Sequence, residues 1–170
     1  ALIDTRSATS KDGAELCPQE YGSHRGLKIT PIGHSMGAIV LNELLQIFPE
    51  TPLENIVFMG GADSIGNTRI ALMRILAQPG NKDVHFYNLM LHPKSEARED
   101  SVFGLLPSGS LLECIDQVLQ RPYTATDRTV GKWRNIRRAK RSFPFDLQRN
   151  MTFHVYGYDI NGTAPYKHGA

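Results

Sequence analysis

Ser35 is the residue whose surroundings most clearly suggest chemistry. It is the central residue of Gly33-His34-Ser35-Met36-Gly37, a G-x-S-x-G pattern between two apolar runs. A serine on a sharp strand-to-helix turn has a strained backbone, and its hydroxyl projects beyond the carboxyl end of the strand. The following helix N-terminus favours negative charge there, and the backbone N–H of Met36 would donate to an oxyanion. The pattern therefore predicts a nucleophilic serine, with both glycines required because larger side chains would collide with the adjacent helix and strand.

The elements that would position Ser35 follow from the spacing of apolar residues. Buried strands are predicted over 27–32, 55–59 and 84–91, and helices over 36–48 and 67–77. Pro49 ends the first helix. Strands that alternate with helices at this spacing indicate right-handed parallel crossovers. We therefore expect an α/β protein whose parallel sheet is covered on both faces.

The organisation outside this strand–helix core of residues 27–91 is less regular. Residues 1–26 are predicted to be a connecting segment, because they are polar and show no sustained periodicity. Residues 92–150 are predicted to form a cap-like helical insertion, with a helix over 111–120, because the interval is too long for a plain loop. Residues 151–170 would hold the last strand, over 152–158, and a closing loop.

The residues around Ser35 resemble a known family. Ile32-Gly33-His34-Ser35-Met36-Gly37-Ala38 is similar to the nucleophile elbow of the α/β-hydrolases, the superfamily of lipases, esterases and thioesterases. The resemblance implies a serine hydrolase that cleaves a carboxylic ester, with lipids among the substrates, and no metal or organic cofactor. The alternative is a non-catalytic relative that keeps the elbow as architecture and serves in binding or assembly.

The resemblance also implies where the general base should lie. A serine hydroxyl needs a base, and the base needs an orienting acid. In this family the histidine follows the last strand, which favours His168. The other histidines considered fit less well, since they fall within the elbow, within predicted strands or too early in the chain; these are His34, His85, His92 and His154.

The orienting acid is harder to assign from the sequence. Similar proteins usually place it just after the strand predicted at 84–91, but no carboxylate follows Leu91 directly. Asp63 comes after the preceding strand, a position that a minority of lipases use, and it is narrowly preferred here. An equally good interpretation is that Asp63 only caps the next helix. The carboxylates that remain as alternatives are Glu96, Glu99 and Asp100.

The family comparison further predicts that the chain is the C-terminal half of an incomplete hydrolase-type domain. Residues 1–26 are too few for the strands that precede the nucleophile strand in the family, one of whose loops supplies a second oxyanion N–H. We therefore expect a missing N-terminal segment or a partner chain. The 170 residues alone would expose a sheet edge, fold poorly and have little activity.

Composition and charge constrain the remaining functions. The chain shows no membrane-spanning run and no signal peptide, so its compartment stays open. Cys17 and Cys114 are expected to be thiols rather than a disulfide. Residues 128–141 carry seven basic side chains and no acid, while elsewhere acids outnumber bases by 17 to 12. This stretch would suit an anionic membrane surface, although a solvated helix is the simpler interpretation and nucleic acid is less favoured.

Overall fold

The computed structural model describes residues 26–96, 110–119 and 121–157. Within them, four strands form one parallel sheet in the order β1-β2-β3-β4. The strands are β1 Ile32–His34, β2 Asn55–Met59, β3 His85–Leu91 and β4 Met151–Tyr156. The α/β class and the parallel sheet predicted from the sequence are confirmed.

Six α-helices occur in the described ranges: α1 Gly37–Ile47, α2 Ile65–Leu76, α3 Pro93–Glu96, α4 Leu111–Cys114, α5 Trp133–Ala139 and α6 Phe145–Arg149. A π-helical turn, Ile115–Leu119, continues α4, and 3₁₀ turns occupy Pro79–Asn81 and Lys140–Ser142. Helix α2 begins earlier than predicted because the Ser64 side chain caps it by accepting the Asn67 N–H.

The core lies between one face of the sheet and the helices α1, α2, α5 and α6. Along β2 and β3 every second residue is buried, as the two-residue period of a strand requires. Phe58 and Phe86 pack edge to face there, with ring centroids 5.1 Å apart. Ile136 and Leu147 belong to the same core, so the second half of the expected insertion covers the sheet as a crossover between β3 and β4.

The first strand differs from its prediction. Residues 27–31 lie outside β1, and only Ile29 forms an isolated bridge, to Leu53. Ile29 and Ile32 are 48% and 64% exposed, so the prediction of a buried strand over 27–32 was wrong. The reason is that, among the described residues, no strand pairs with the outer edge of β1.

Candidate active site

The turn from β1 to α1 holds Ser35 in a left-handed backbone conformation. Its φ is +51°, a region that side chains other than glycine rarely adopt. The Ser35 N–H donates to the Met59 carbonyl at 3.0 Å, and the Ser35 carbonyl accepts from the N–H groups of Ala38 at 3.2 Å and Ala62 at 3.0 Å. The bonds to Met59 and Ala62 hold the turn against β2 and the loop after it, and the bond to Ala38 lies within the start of α1. The strained backbone predicted for Ser35 is confirmed.

The two glycines of the elbow are not equivalent. A Cβ placed on Gly33 would lie 2.9 Å from the Ala38 Cα, closer than real Cβ contacts allow. A Cβ on Gly37 would meet nothing within 4 Å. The expectation that both positions require glycine is therefore confirmed for Gly33 and wrong for Gly37, because the first turn of α1 points away from the sheet at Gly37.

Met36 occupies the position of the expected oxyanion donor. It precedes the first residue of α1 and has helical backbone angles, φ −62° and ψ −23°. Its side chain is 55% exposed. Within the described ranges the Met36 N–H has no hydrogen-bond acceptor. A backbone N–H at the N-terminus of an eleven-residue helix is suited to stabilise a developing negative charge.

Asp63 follows Ala62, whose N–H donates to the Ser35 carbonyl. The Asp63 carboxylate, however, faces helices α1 and α2. One oxygen accepts the Ser64 N–H at 2.7 Å, and the other accepts the side-chain amides of Asn42 at 2.6 Å and Asn67 at 2.8 Å. The Asp63 side chain therefore ties α1 to α2. Ser64, and not Asp63, is the N-cap of α2. Asp63 as the orienting acid stays a prediction.

Glu96 is the other candidate acid that the structure describes. It is buried at the end of α3, which follows the carboxyl end of β3, and its N–H donates to the His92 carbonyl at 3.0 Å. The neighbouring Ser95 hydroxyl donates to the carbonyl of Gly157, the residue that follows β4. Glu96 therefore lies beside the point from which the predicted histidine loop departs.

The remaining triad candidates, His168, Glu99 and Asp100, lie outside the described residues. His85 and His154 lie in β3 and β4, as predicted, and the ring of His85 is hydrogen-bonded to the Thr152 hydroxyl at 2.8 Å.

A helical segment, residues 110–119, packs beside the elbow. Leu112 and Ile115 are buried against Ala62, whose N–H contacts Ser35, and against Ile39 in the first turn of α1. Together these four side chains form an apolar cluster next to the turn that holds Ser35, and we call it the apolar wall. The first half of the expected insertion therefore contributes to the surroundings of Ser35.

A buried ion-pair cluster holds this segment in place. The Lys132 ammonium contacts the Glu113 carboxylate and lies 3.7 Å from a carboxylate oxygen of Asp116. Asp116 also accepts the Thr129 N–H at 2.8 Å and the Asn135 side-chain amide at 2.7 Å. We call Lys132, Glu113 and Asp116 the clamp.

The charges of the clamp shift the pKa of Glu113. Burial raises the pKa of Glu113, but its hydrogen bond with Lys132 and the charges of Lys132 and Arg134 lower it, with a contribution from Gln117. The net effect places the pKa below its ordinary value of 4.5. Glu113 is therefore ionised near neutral pH.

Sequence reasoning missed the segment that joins the clamp to the elbow. The N–H groups of Val130 and Gly131 donate to the carbonyls of Asp63 and Gly61, each at 2.8 Å. A Cβ on Gly131 would lie 2.4 Å from the backbone of Gly60, so only glycine fits. The available signal was a glycine flanked by apolar and basic residues, which is too common to interpret without the neighbouring loop.

A cleft also lies away from the elbow. This open cleft of about 400 Å³ is lined by Met73 in α2, by Leu147 in α6 and by Lys82, which follows the 3₁₀ turn after α2. It contains no serine, cysteine or histidine. In the described ranges no group of three metal-binding side chains is found, and no helix there has the length and apolar character needed to span a bilayer.

Comparison of the chain with protein families, curated proteins and solved structures finds no match.

Proposed function

We propose that this chain carries the nucleophile of a serine hydrolase that cleaves carboxylic esters with an apolar acyl group. The observation that carries the proposal is Ser35 itself, a non-glycine residue at φ +51° on a turn from a parallel strand to a helix N-terminus. Strained backbone of this kind costs about 1–3 kcal/mol and is concentrated at functional positions.

The proposed reaction proceeds through an acyl-enzyme. His168 accepts the Ser35 hydroxyl proton as the oxygen attacks the ester carbonyl, and the Met36 N–H stabilises the resulting oxyanion. The protonated His168 then gives its proton to the departing alcohol. Water, deprotonated by His168, cleaves the acyl-serine and releases the carboxylic acid and the free hydroxyl.

We assign the orienting acid to Glu96, although the sequence narrowly favours Asp63. Both oxygens of Asp63 already accept hydrogen bonds from the α1–α2 layer. Glu96 follows β3, which is the usual position in the family, and lies next to the residue that precedes the His168 loop. This location supports Glu96 as the partner of His168.

The preference for an apolar acyl group rests on the wall beside the elbow. Ile39, Ala62, Leu112 and Ile115 have no polar side-chain atom, and Ile39 is the partly exposed member of this group. A substrate group that packs against it next to Ser35 gains by leaving water. We propose that residues 110–119 line the acyl side of the site.

The nucleophile is tested by labelling with an alkyl fluorophosphonate, which modifies activated serines. We expect one label per chain, loss of labelling in Ser35→Ala, and unchanged labelling in the control Ser142→Ala, whose hydroxyl donates to the Ala139 carbonyl. His168→Ala should also abolish labelling, whereas His92→Ala should not. Absence of labelling in the unmodified chain would favour the non-catalytic binding or assembly protein.

A further inference from the structure

One face of α5 carries cations and the other face belongs to the core. Asn135, Ile136 and Ala139 point inward and are buried. Arg137 and Arg138 are exposed on the opposite side. Two more exposed cations, Lys140 and Arg141, lie in the 3₁₀ turn that continues α5. We call Arg137, Arg138, Lys140 and Arg141 the basic face.

The charges of the basic face are not neutralised by the described part of the protein. The ion pairs found there involve Lys132, which the clamp buries. Arg134 is close enough to Glu113 to help lower its pKa. By contrast, no carboxylate in the described ranges pairs with the basic face. The Lys140 ammonium lies 5.9 Å from the Phe153 ring centroid.

We propose that the basic face binds the anionic lipid headgroups of a membrane surface. Guanidinium groups match phosphate oxygens in charge and geometry. A cluster of four or more cations on a helix is typical of proteins that bind acidic lipids. This binding does not depend on the catalytic role of Ser35.

Two observations favour a membrane over a nucleic acid. Outside residues 128–141 the chain has 17 acids and 12 bases. A nucleic acid that extended beyond the basic face would therefore meet net negative charge and be repelled, whereas a flat membrane surface would contact the basic face alone. In addition, Phe145 follows the basic face and is 69% exposed, with the Arg149 guanidinium 4.9 Å from its ring centroid. An exposed aromatic ring beside cations suits the interface of a bilayer.

The test is co-sedimentation of the full chain with two kinds of vesicle. One is pure phosphatidylcholine, and the other contains about 30 mol% phosphatidylserine, which gives the vesicle the negative surface charge of an anionic leaflet. We expect binding to the anionic vesicles only. Raising the salt should weaken it, because the Debye length shortens from about 10 Å at 0.1 M to about 3 Å at 1 M.

Matched charge variants locate the surface. Arg137→Gln, Arg138→Gln and Arg141→Gln combined should lower partitioning about a hundredfold. The control removes the same charge from three exposed cations elsewhere, Lys28, Arg74 and Lys82, and should lower partitioning far less. All six side chains are exposed, so the variants should retain the circular dichroism of the unmodified chain.

Three outcomes would overturn the proposal. They are equal binding to neutral and anionic vesicles, an equal loss in both triple variants, and binding to duplex DNA or RNA without binding to phosphatidylserine. Because none of these measurements uses Ser35, Ser35→Ala should bind the vesicles as the unmodified chain does. Failure of the labelling experiment would therefore leave this result unaffected.

Discussion

At the scale of single residues, the elbow is a strained turn that three backbone hydrogen bonds maintain. Ser35 could relax to negative φ only by giving up its bonds to Met59, Ala38 and Ala62. Each such bond stabilises a folded protein by about 1 kcal/mol. Together they are comparable with the strain, which explains how a serine can occupy a position that favours glycine.

The glycines of the elbow provide the first prediction. Gly33→Ala should lower the free energy of unfolding by about 1–3 kcal/mol, because the added methyl would overlap the backbone of Ala38. Gly37→Ala is the matched control and should stabilise by up to about 1 kcal/mol, since alanine favours a helix and the space is open. Urea denaturation measures both. Equal effects of the two substitutions would contradict the contact geometry.

The two described carboxylates provide the second prediction. Asp63→Asn should lower the melting temperature, because an amide cannot accept from Ser64, Asn42 and Asn67 as a carboxylate does, at a cost of about 1–3 kcal/mol. Its fluorophosphonate labelling rate should stay within a few-fold. Glu96→Gln should slow labelling by about 10³–10⁴-fold, as expected when the acid of a triad is neutralised.

The reverse result, with rapid labelling of Glu96→Gln and very slow labelling of folded Asp63→Asn, would return the role of acid to Asp63. The sequence alone left this choice open because it does not reveal where a carboxylate points. Asp63 follows a strand, as a catalytic acid can, yet Asn42 and Asn67, from two different helices, occupy one of its oxygens.

At the scale of elements, the structure joins a distant helix to the elbow through a single buried cation. Lys132 follows the residues that cross the ends of β2 and β3, and it contacts Glu113 and Asp116 in the segment 110–119. Removing one member of a buried ion pair lowers the free energy of unfolding by about 3–5 kcal/mol, because the remaining charge is left unpaired in the protein interior. The clamp therefore determines whether the apolar wall stays beside Ser35.

Cys114 is a free, half-buried thiol in this segment and serves as a probe of the clamp, which gives the third prediction. In a Cys17→Ser background, Lys132→Met should speed the alkylation of Cys114 by at least about tenfold. The thiol reacts when residues 110–119 move away from the elbow, and a loss of about 1.4 kcal/mol in the free energy that holds them there raises the open population tenfold. Lys28→Met, at an exposed lysine, should leave the rate unchanged. An unchanged rate in Lys132→Met would show that the clamp does not hold the segment.

The fourth prediction concerns acid. Because the pKa of Glu113 is lowered in the folded chain, the stability from its ionised form is present above its ordinary value of 4.5 and is lost as the pH falls through the folded value. Alkylation cannot be used at low pH, because the thiol is protonated and does not react. The measurement is therefore the melting temperature between pH 6 and pH 3, a range that brackets the ordinary pKa of a carboxyl group. Glu113→Gln should lessen its decline, and an undiminished decline would contradict the assignment.

At the scale of the whole molecule, a long apolar surface is left uncovered. Three side chains about one turn apart on α1 are exposed by 47–63%, namely Val40, Leu44 and Ile47. Further apolar side chains are exposed at Met36, the N-cap of α1, at Ile32 in β1, and at Leu27 and Ile29 before β1. Apolar area of this extent usually marks a contact with further polypeptide. The missing N-terminal segment or partner chain expected from the sequence stays a prediction, and this surface is where it would pack.

The fifth prediction follows from this surface. Val40→Glu with Leu44→Glu should shift the isolated chain towards monomer in sedimentation velocity, without lowering its melting temperature, because both side chains already face water. Ile70→Glu with Met73→Glu places the same charge on the exposed side of α2 and is the control. If both pairs change the sedimentation coefficient equally, net charge and not the α1 surface is responsible.

The sequence by itself determined the strand–helix order, the parallel sheet and the strained Ser35 turn. These features depend on local periods of apolar residues and on short-range turn chemistry, both of which are written in adjacent residues. Strand β2, at Asn55–Met59, was predicted with its observed limits for that reason. By contrast, the opposite behaviour of Gly33 and Gly37 depends on which one faces Ala38 across the turn.

Only the tertiary structure decided which side chains meet across long stretches of chain. Lys132 could be read as one more cation of a basic stretch, but it is buried between Glu113 and Asp116, while the arginines that follow it remain exposed. The exposed side of α1 was likewise invisible, because a stripe of apolar residues does not record what covers it. Contacts between distant segments depend on how whole elements pack, and a one-dimensional pattern does not carry that information.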